Sequence, residues 1–422
     1  MAENQEGKFY YGWYVVVVAF VLLAFVGAPG ISMSGLPVVS IVKDFNVSVT
    51  NVMLMGALSM MGAMVGTLFA GKVFMRFGLR KTVSCGLILS GTFWMIISTV
   101  KNFKFMIVLA FLAGVIGTFT TTLPASIVIN NWFGPKLRGK AMGITMIGLS
   151  AGAVVLSPIV ANIITSATWR GAYRLYGILA WVMIPFVLLT FYDTPAAKSI
   201  KRQGDVPGEK AAEKAAGVDP AGMTAGEALH TPIFWTLVVA LFIINGLGAA
   251  WNGNGPTFLT TIGYTPVKAS FLVSLCSLAA IIAKVLYGIY NDINGSRKTF
   301  NLFLMPVIAA SICLILSPKM PALAYAAAIL YGLSFPNATV GSPLITGELF
   351  GPKNYSILVG YTQFVASLGS AIFPMIVSSI YGATGDYVYS WVSVLVLSLL
   401  ALVLINLTYV AKKNYISKKS TI

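Results

Sequence analysis

The sequence predicts an all-α membrane protein of twelve spanning helices, arranged as two pseudo-symmetric halves of six. Three observations carry this. The chain is 57% hydrophobic and only 9% charged over 422 residues, where a soluble domain carries about 25% charged residues. The gaps between charges open twelve apolar runs, each near the ~20 residues that a helix needs to cross a bilayer. An internal repeat then pairs the runs: GKVFMRFGLRKT begins at Gly71 and GIYNDINGSRKT at Gly288, while FGPK begins at Phe133 and again at Phe350, both pairs 217 positions apart. Two anchors with one offset describe a duplicated six-helix unit.

In chain order the runs fall near 13–35, 50–70, 82–100, 105–130, 141–165, 175–192, 233–260, 269–291, 300–316, 322–347, 355–381 and 388–410. They are apolar on all faces, whereas barrel strands alternate over about 10 residues, so helices and not a β-barrel are expected. The first run exceeds the hydrophobic region of a signal peptide and is expected as a retained helix, with Tyr10, Tyr11, Trp13 and Tyr14 as its aromatic interface belt. Residues 194–229 are polar, rich in Ala, Gly, Lys and Pro, and have no apolar face; they read as a linker. The expected division is therefore 1–193, a linker at 194–229, and 230–422. His230, the single histidine, stands where the chain re-enters the membrane and reads as an interfacial cap.

The net charge of +16 is topological rather than a nucleic-acid signal. With the N-terminus inside, the cytoplasmic segments collect 20 of the 28 Lys and Arg and the outer segments seven, and Lys284 is the one left over. This positive-inside bias predicts a cytoplasmic (inner) membrane location with both termini in the cytoplasm, in contact with lipid and not with nucleic acid. Cys85, Cys276 and Cys313 lie far apart inside apolar runs without metal-ligand spacing and are expected to pack as small hydrophobes. No paired carboxylates, nucleophile–base pair, metal cluster or phosphate loop is legible, so neither an enzyme nor a cofactor or metal is expected.

Lys284 is the strongest single residue. It is the only strongly ionisable side chain in the 23 residues between Lys268 and Asp292. A lysine in hydrocarbon costs at least ~2.5 kcal/mol, so it faces water, a partner or a ligand. Two readings follow: an anion-binding group in a cavity, or a lysine that snorkels toward the interface about 12 Å away. Helical spacing adds cavity candidates. Ser277 lies two turns from Lys284; Tyr331, Phe335 and Thr339 recur every four residues on the tenth run, as do Thr118 and Thr122 on the fourth. Tyr361, Thr362 and Gln363 follow on the eleventh, and a broken seventh helix, GAAWNGNGPTF, adds Trp251, Asn252 and Asn254. Gly143, Gly148 and Gly152 with Ser157-Pro158 on the fifth run, and Gly360, Gly369 and Pro374 on the eleventh, mark close helix packing.

The motif G-x-x-x-D-x-x-G-x-R-K at Gly288, Asp292, Gly295, Arg297 and Lys298, the duplicated halves and the basic linker resemble the major facilitator superfamily over nearly the whole chain. YYGWYVV before the first helix, KDFNVS after it, NNWFGPKLRGKAMGI before the fifth and the lysine four residues ahead of Gly288 are similar to the monocarboxylate transporters and the oxalate/formate exchangers. The resemblance implies the major facilitator fold, alternating access and a monomer. It implies gating roles for Arg76, Arg80, Asp292, Arg297, Lys298 and Glu348, with Glu348 latched to a cation. In the first copy of the motif Met75 replaces the acid, leaving Arg76, Arg80 and Lys81 without it. It further implies that the matching faces of helices 4 and 10 line the substrate path. The second cation of the oxalate exchangers is Thr362 here, which favours a monocarboxylate over a dicarboxylate. The acid that the animal monocarboxylate transporters place one turn before their helix 8 cation is Ala280, and their helix 1 lysine falls at Leu36 and Pro37, so their proton mechanism does not carry over.

The expected protein is thus a secondary transporter of a small carboxylate such as lactate, pyruvate or formate, with a co-transported proton or a counter-anion. The competing readings are an exporter of lipophilic compounds on the same fold, an oxalate or dicarboxylate exchanger, and a membrane sensor.

Overall fold

The computed structural model describes residues 10–31, 33, 36–47, 49–200, 202–204 and 222–419. Among these, regular structure is helical apart from one isolated bridge between Phe133 and Gln203. Eleven segments are long and apolar enough to cross a membrane. The first six are α1 (Gly12–Ile31), α2 (Leu54–Phe77), α3 (Leu79–Thr99), α4 (Phe103–Trp132), α5 (Pro135–Ser166) and α6 (Thr168–Thr190). After the linker comes α7 (Pro232–Thr261). The next segment, Phe271–Leu316, parts at Gly295, whose φ of 75° and ψ of 167° are not helical. It is two crossings, α8 (271–294) and α9 (296–316). The last three are α10 (Leu323–Phe350), α11 (Tyr355–Thr384) and α12 (Tyr387–Tyr415), so the described residues hold twelve crossings, the number the charge gaps predict. Gly295 has a repeat mate in Gly78, which parts α2 from α3 with φ 80° and ψ 157°; both need the left-handed freedom of glycine.

The chain divides into two compact units, Met1–Gly66 with Lys72–Val206, and Thr67–Gly71 with Pro207–Ile422. Each is knitted by seams where glycine lets backbones touch. A Cβ on Gly152 of α5 would strike the carbonyl of Ala24 in α1, and one on its repeat mate Gly369 of α11 the carbonyl of Phe242 in α7. Likewise Gly114 of α4 faces the Ser59 carbonyl of α2, and Gly332 of α10 faces the Cys276 carbonyl of α8. Lipid tails are as apolar as leucine, so membrane helices associate through close packing of this kind rather than by hiding apolar surface from water.

Several local expectations are corrected. Helix α7 is continuous over Pro232–Thr261 in spite of its glycines and Pro256. Those glycines make room instead: Gly253 lies against the Pro374 ring and Gly255 against the Trp251 indole. The breaks occur in α4 and α10. In α4 the helix stops at Gly117 and resumes at Thr122, with Thr121 at φ −115° and ψ −127°. In α10 it stops at Ser334, passes Pro336 and takes a wide π-turn over Asn337–Gly341 before resuming at Ser342.

The linker carries structure at both described ends. Pro195–Lys198 forms a 3₁₀ turn and Ala225–Leu229 a short helix with a Thr224/Glu227 capping box. His230 closes that helix with its ring Nδ1 2.8 Å from the Gly226 carbonyl, while Thr231 caps α7. Of the linker, residues 201, 205–221 lie outside the described residues. All three cysteines are free, but Cys85 is exposed rather than packed inside. In the expected aromatic belt only Tyr14 is exposed; the Tyr10 hydroxyl donates to the Trp132 carbonyl at 2.8 Å, and Trp132 donates its indole N–H to the Tyr192 carbonyl at 2.8 Å.

Candidate functional site

Helix α8 sorts its residues cleanly by face. Phe271, Leu278, Ile282, Leu286, Ile289 and Ile293 are exposed, spaced to form one apolar stripe. Opposite them run Leu272, Cys276, Ala280, Ala283, Lys284, Tyr287 and Asn291, all buried. Lys284 is 5% exposed. A snorkelling lysine would belong to the exposed stripe, where its stem can climb past lipid. Lys284 belongs to the inner one.

The other candidates divide into hydroxyls already committed and groups still partly open. Tyr331 is fully buried, stacks on Trp251 with centroids 5.2 Å apart, and donates to the Leu247 carbonyl at 2.9 Å. Thr118 is buried, and its hydroxyl lies 3.0 Å from the Ala63 carbonyl and 3.3 Å from that of Gly114. Thr362 is 1% exposed and sits between its own Val359 carbonyl, at 3.1 Å, and the Thr346 hydroxyl, at 3.4 Å. These three hold helices together. Thr122, Phe335, Thr339, Tyr361 and Gln363 are half-buried, and Ser277 and Asn252 are exposed. Ser277 returns its hydroxyl to Val273 at 3.0 Å. The four-residue spacings of Thr118 with Thr122, and of Phe335 with Thr339, do not describe a continuous helix face, because the breaks in α4 and α10 fall between or beside their members. Within the C-terminal unit a cleft of about 360 Å³ opens between α7 and α11, lined by Gly253, Asn254, Pro374, Met375, Ser378 and Ser379. Lys284 does not line it.

The residues expected to gate lie at two related turns. In the N-terminal unit the Asp193 carboxylate accepts the backbone N–H groups of Leu79 at 2.9 Å and Arg80 at 3.2 Å, capping α3. The Arg80 guanidinium lies 4.9 Å from the Tyr192 ring, and Arg76 5.5 Å from the Phe77 ring. The turn that lost its motif acid at Met75 therefore has a carboxylate after all, supplied from beyond α6. In the C-terminal unit Glu348 accepts the N–H of Ser296 at 2.8 Å, capping α9, and the Tyr409 hydroxyl at 2.8 Å. The cation beside it, Lys412, donates to the Glu348 backbone carbonyl at 2.9 Å. Arg297 lies 5.8 Å from the Tyr409 ring and donates to Asn406 at 3.0 Å. Asp292 is half-buried and Lys298 exposed.

Sequence reasoning missed Tyr287 and Asn291. Both are buried, and the Tyr287 hydroxyl and the Asn291 side-chain oxygen have no hydrogen-bond partner. Helical spacing from Lys284 toward Asp292 would have found them, since they stand three and seven residues on. Asn337, in the π-turn, is 1% exposed with both polar atoms of its amide unpartnered, beside a cavity of about 10 Å³. Among the described residues no group of His, Cys, Asp and Glu could hold a metal ion.

Two units of like helical order, each with glycine seams and a capped turn between its second and third helices, and one with a buried lysine inside a membrane-spanning helix, have the build of a membrane carrier. The family model described as Major Facilitator Superfamily matches residues 15–374 and 256–420, and the chain belongs to that superfamily. It is a multi-pass membrane transporter of a small-molecule substrate and not an enzyme. Among curated proteins it is 26% identical over 311 residues to the oxalate:formate antiporter of Oxalobacter formigenes, covering 71% of this chain and 70% of that one. It is 25% identical over 280 residues to monocarboxylate transporter 12 of Xenopus laevis, covering 63% of this chain and 60% of the relative. A solved structure of the proton:xylose symporter XylE superposes with a TM-score of 0.72 at 15% identity, over 93% of this chain and 94% of that one; this likeness is one of fold.

Proposed function

We propose that the protein is a secondary active transporter of small organic anions, with monocarboxylates preferred over dicarboxylates, in which the Lys284 ammonium neutralises the substrate carboxylate. The observation that carries the reading is the place of Lys284 on the buried stripe of α8, 5% exposed and away from the exposed apolar stripe. A cation held there is costly unless its charge is used. Relatives named for oxalate, formate and monocarboxylate transport support an anion as the user. The one lysine on the buried stripe of α8 matches one carboxylate, and Thr362, at the position where the oxalate exchangers carry a second cation, is spent on α10 and α11.

In this reading the half-buried Phe335, Thr339, Tyr361 and Gln363 contact the rest of the substrate, and Tyr331 and Thr362 position them. The halves at 1–193 and 230–422 alternate access across the cytoplasmic membrane, with both termini in the cytoplasm, and the monomer is the working unit. Coupling is by proton symport or anion exchange.

The test is uptake of radiolabelled lactate, pyruvate, formate, oxalate and glucuronate into proteoliposomes containing wild type or Lys284→Gln. Removing one partner of a buried charge pair costs about 2–5 kcal/mol, so uptake of the transported anion should fall at least ~30-fold while the protein stays monodisperse. Unchanged uptake in Lys284→Gln would instead favour the lipophile exporter, for which this charge is dispensable.

A further inference from the structure

Toward Asp292 the buried stripe of α8 continues with polar groups. Tyr287 is about 4.5 Å and Asn291 about 10.5 Å along the helix axis from Lys284, at 1.5 Å per residue. Neither is a passive filler of apolar space. The Tyr287 hydroxyl is buried and unbonded, pressed against Gly341 where any Cβ would displace it, and the Asn291 side-chain oxygen is buried and unbonded as well. Gly341 ends the π-turn of α10, and seven residues further on is Glu348. The Glu348 carboxylate is joined to the Tyr409 hydroxyl at 2.8 Å and lies within electrostatic reach of Tyr287. An ammonium, a phenol and an amide oxygen thus share one buried stripe of α8, with a carboxylate of the same unit near the phenol.

Leaving a buried polar atom unbonded is costly, because it loses its water without gaining a partner. Two such atoms on one stripe, between two titratable groups, form a site that water can occupy, since water supplies both a donor and an acceptor. The surrounding titratable groups are engaged elsewhere, lie off the stripe, or stand outside its stretch from Lys284 to Asn291. Cys276 precedes Lys284, the Tyr331 hydroxyl is bonded to Leu247, Arg297 to Asn406 and Lys412 to the Glu348 carbonyl, and Asp292 is half-buried at the end of α8.

We propose that Lys284, Tyr287, Asn291 and Glu348 form a proton path within the C-terminal half, and that the anion held at Lys284 moves together with a proton delivered along it. This rests on Lys284 being the anion-binding group. In the transfer, an N–H bond of the Lys284 ammonium breaks and an O–H bond forms on water held by Tyr287 and Asn291. That water passes a proton to a Glu348 oxygen, leaving a neutral amine and a carboxylic acid, with no electron transferred. Glu348, which is half-buried, then gives its proton up to water on its own side of the membrane, and Lys284 is reloaded by a new proton that enters with the next anion. A neutral amine has no charge to offer a carboxylate, so loading the proton loads the anion and losing it releases the anion.

The experiment uses full-length protein in proteoliposomes with a pH-sensitive dye in the lumen and radiolabelled lactate, pyruvate and oxalate. Wild type should acidify the lumen as it takes up its anion. Tyr287→Phe keeps the ring and its packing, and Glu348→Gln keeps one acceptor oxygen for the Ser296 N–H while its amide N–H can donate to the Tyr409 hydroxyl. Both should lose at least ~10-fold in proton-coupled net uptake while exchanging labelled for unlabelled anion at equal pH within ~2-fold of wild type. Anion uptake by wild type without a pH change overturns the path. So does wild-type acidification by both variants, or a loss of exchange in Tyr287→Phe equal to its loss of proton movement. Failure of the anion site itself reads differently: Lys284→Gln would then exchange anion as wild type does.

Discussion

The two halves cap the same turn with different carboxylates. Gly78 and Gly295, Arg80 and Arg297, and Tyr192 and Tyr409 are repeat mates in nearly the same roles: the glycines take left-handed φ, and each arginine lies over its tyrosine ring. The acid, however, is Asp193 from the end of α6 in one half and Glu348 from the end of α10 in the other. The repeat mate of Glu348 is Asn131, which donates its amide to the Asp193 carbonyl at 3.0 Å. What persists through the duplication is a physical need, a negative charge at the exposed N–H groups of a helix start. The chain position that meets it is free to move. Lys284 is the opposite case: its repeat mate is Thr67, no backbone group requires a cation there, and one half alone has it.

This contrast sorts substitutions into those that should act alike in both halves and those that should not. The largest shared effect is expected at the seams. Gly152→Leu and Gly369→Leu each drive a side chain into a neighbouring carbonyl, and with overpacking costing about 1–3 kcal/mol or more, both should sharply reduce monodisperse protein in size-exclusion chromatography. If only one of them does, the seams are not equivalent. Next comes the asymmetric pair: Lys284→Gln is expected to lower anion uptake at least ~30-fold and Thr67→Val less than ~3-fold. Similar losses in both would place the substrate charge outside the C-terminal half.

A smaller effect separates the caps. Asp193→Ala removes an acceptor from two backbone N–H groups and should cost about 1–2 kcal/mol. Glu348→Ala removes a cap and also leaves the Tyr409 hydroxyl without its acceptor, so about 2–4 kcal/mol is expected. Thermal unfolding in detergent should therefore rank Glu348→Ala below Asp193→Ala, and Tyr409→Phe should recover only the difference between them. The reverse order would mean that the Tyr409 bond adds nothing to the cap.

The crossings were legible because charge is so costly in hydrocarbon that its gaps draw the helices, and Lys284 was legible as the one charge inside such a gap. The breaks were not. GNGP in α7 has the composition of a break, yet its glycines accommodate Pro374 and Trp251 and the helix runs through. The actual interruptions at TFTTTLP in α4 and FPNATVG in α10 lie at matching places in the repeat, with Thr118 and Phe335 as mates, but threonines and a single proline permit helix as readily as a turn. Carrying a period of 3.6 across those breaks is what grouped Thr118 with Thr122. Tyr287 and Asn291 escaped notice because an aromatic and an amide in an apolar run do not differ from helix-packing residues until their unbonded atoms are seen.

The smallest effect is the most discriminating for the caps. Met75 stands where the second copy of the motif has Asp292, so Met75→Asp restores the motif in the N-terminal half. If the motif acid itself stabilised the turn, restoring it beside Arg76 and Arg80 would raise stability by about 1 kcal/mol or more. Asp193 already occupies the N–H groups of Leu79 and Arg80, and Met75 is exposed at 51%, where an added ion pair is worth about 0–1 kcal/mol. The expected change is therefore under ~0.5 kcal/mol in wild type. In an Asp193→Ala background the N–H groups are free again, but an acid at position 75 comes from α2 and not from beyond α6, so it should recover less than half of the lost stability. Full recovery would show that the turn needs only a nearby negative charge, and that the placement of Asp193 over the α3 N-terminus is incidental.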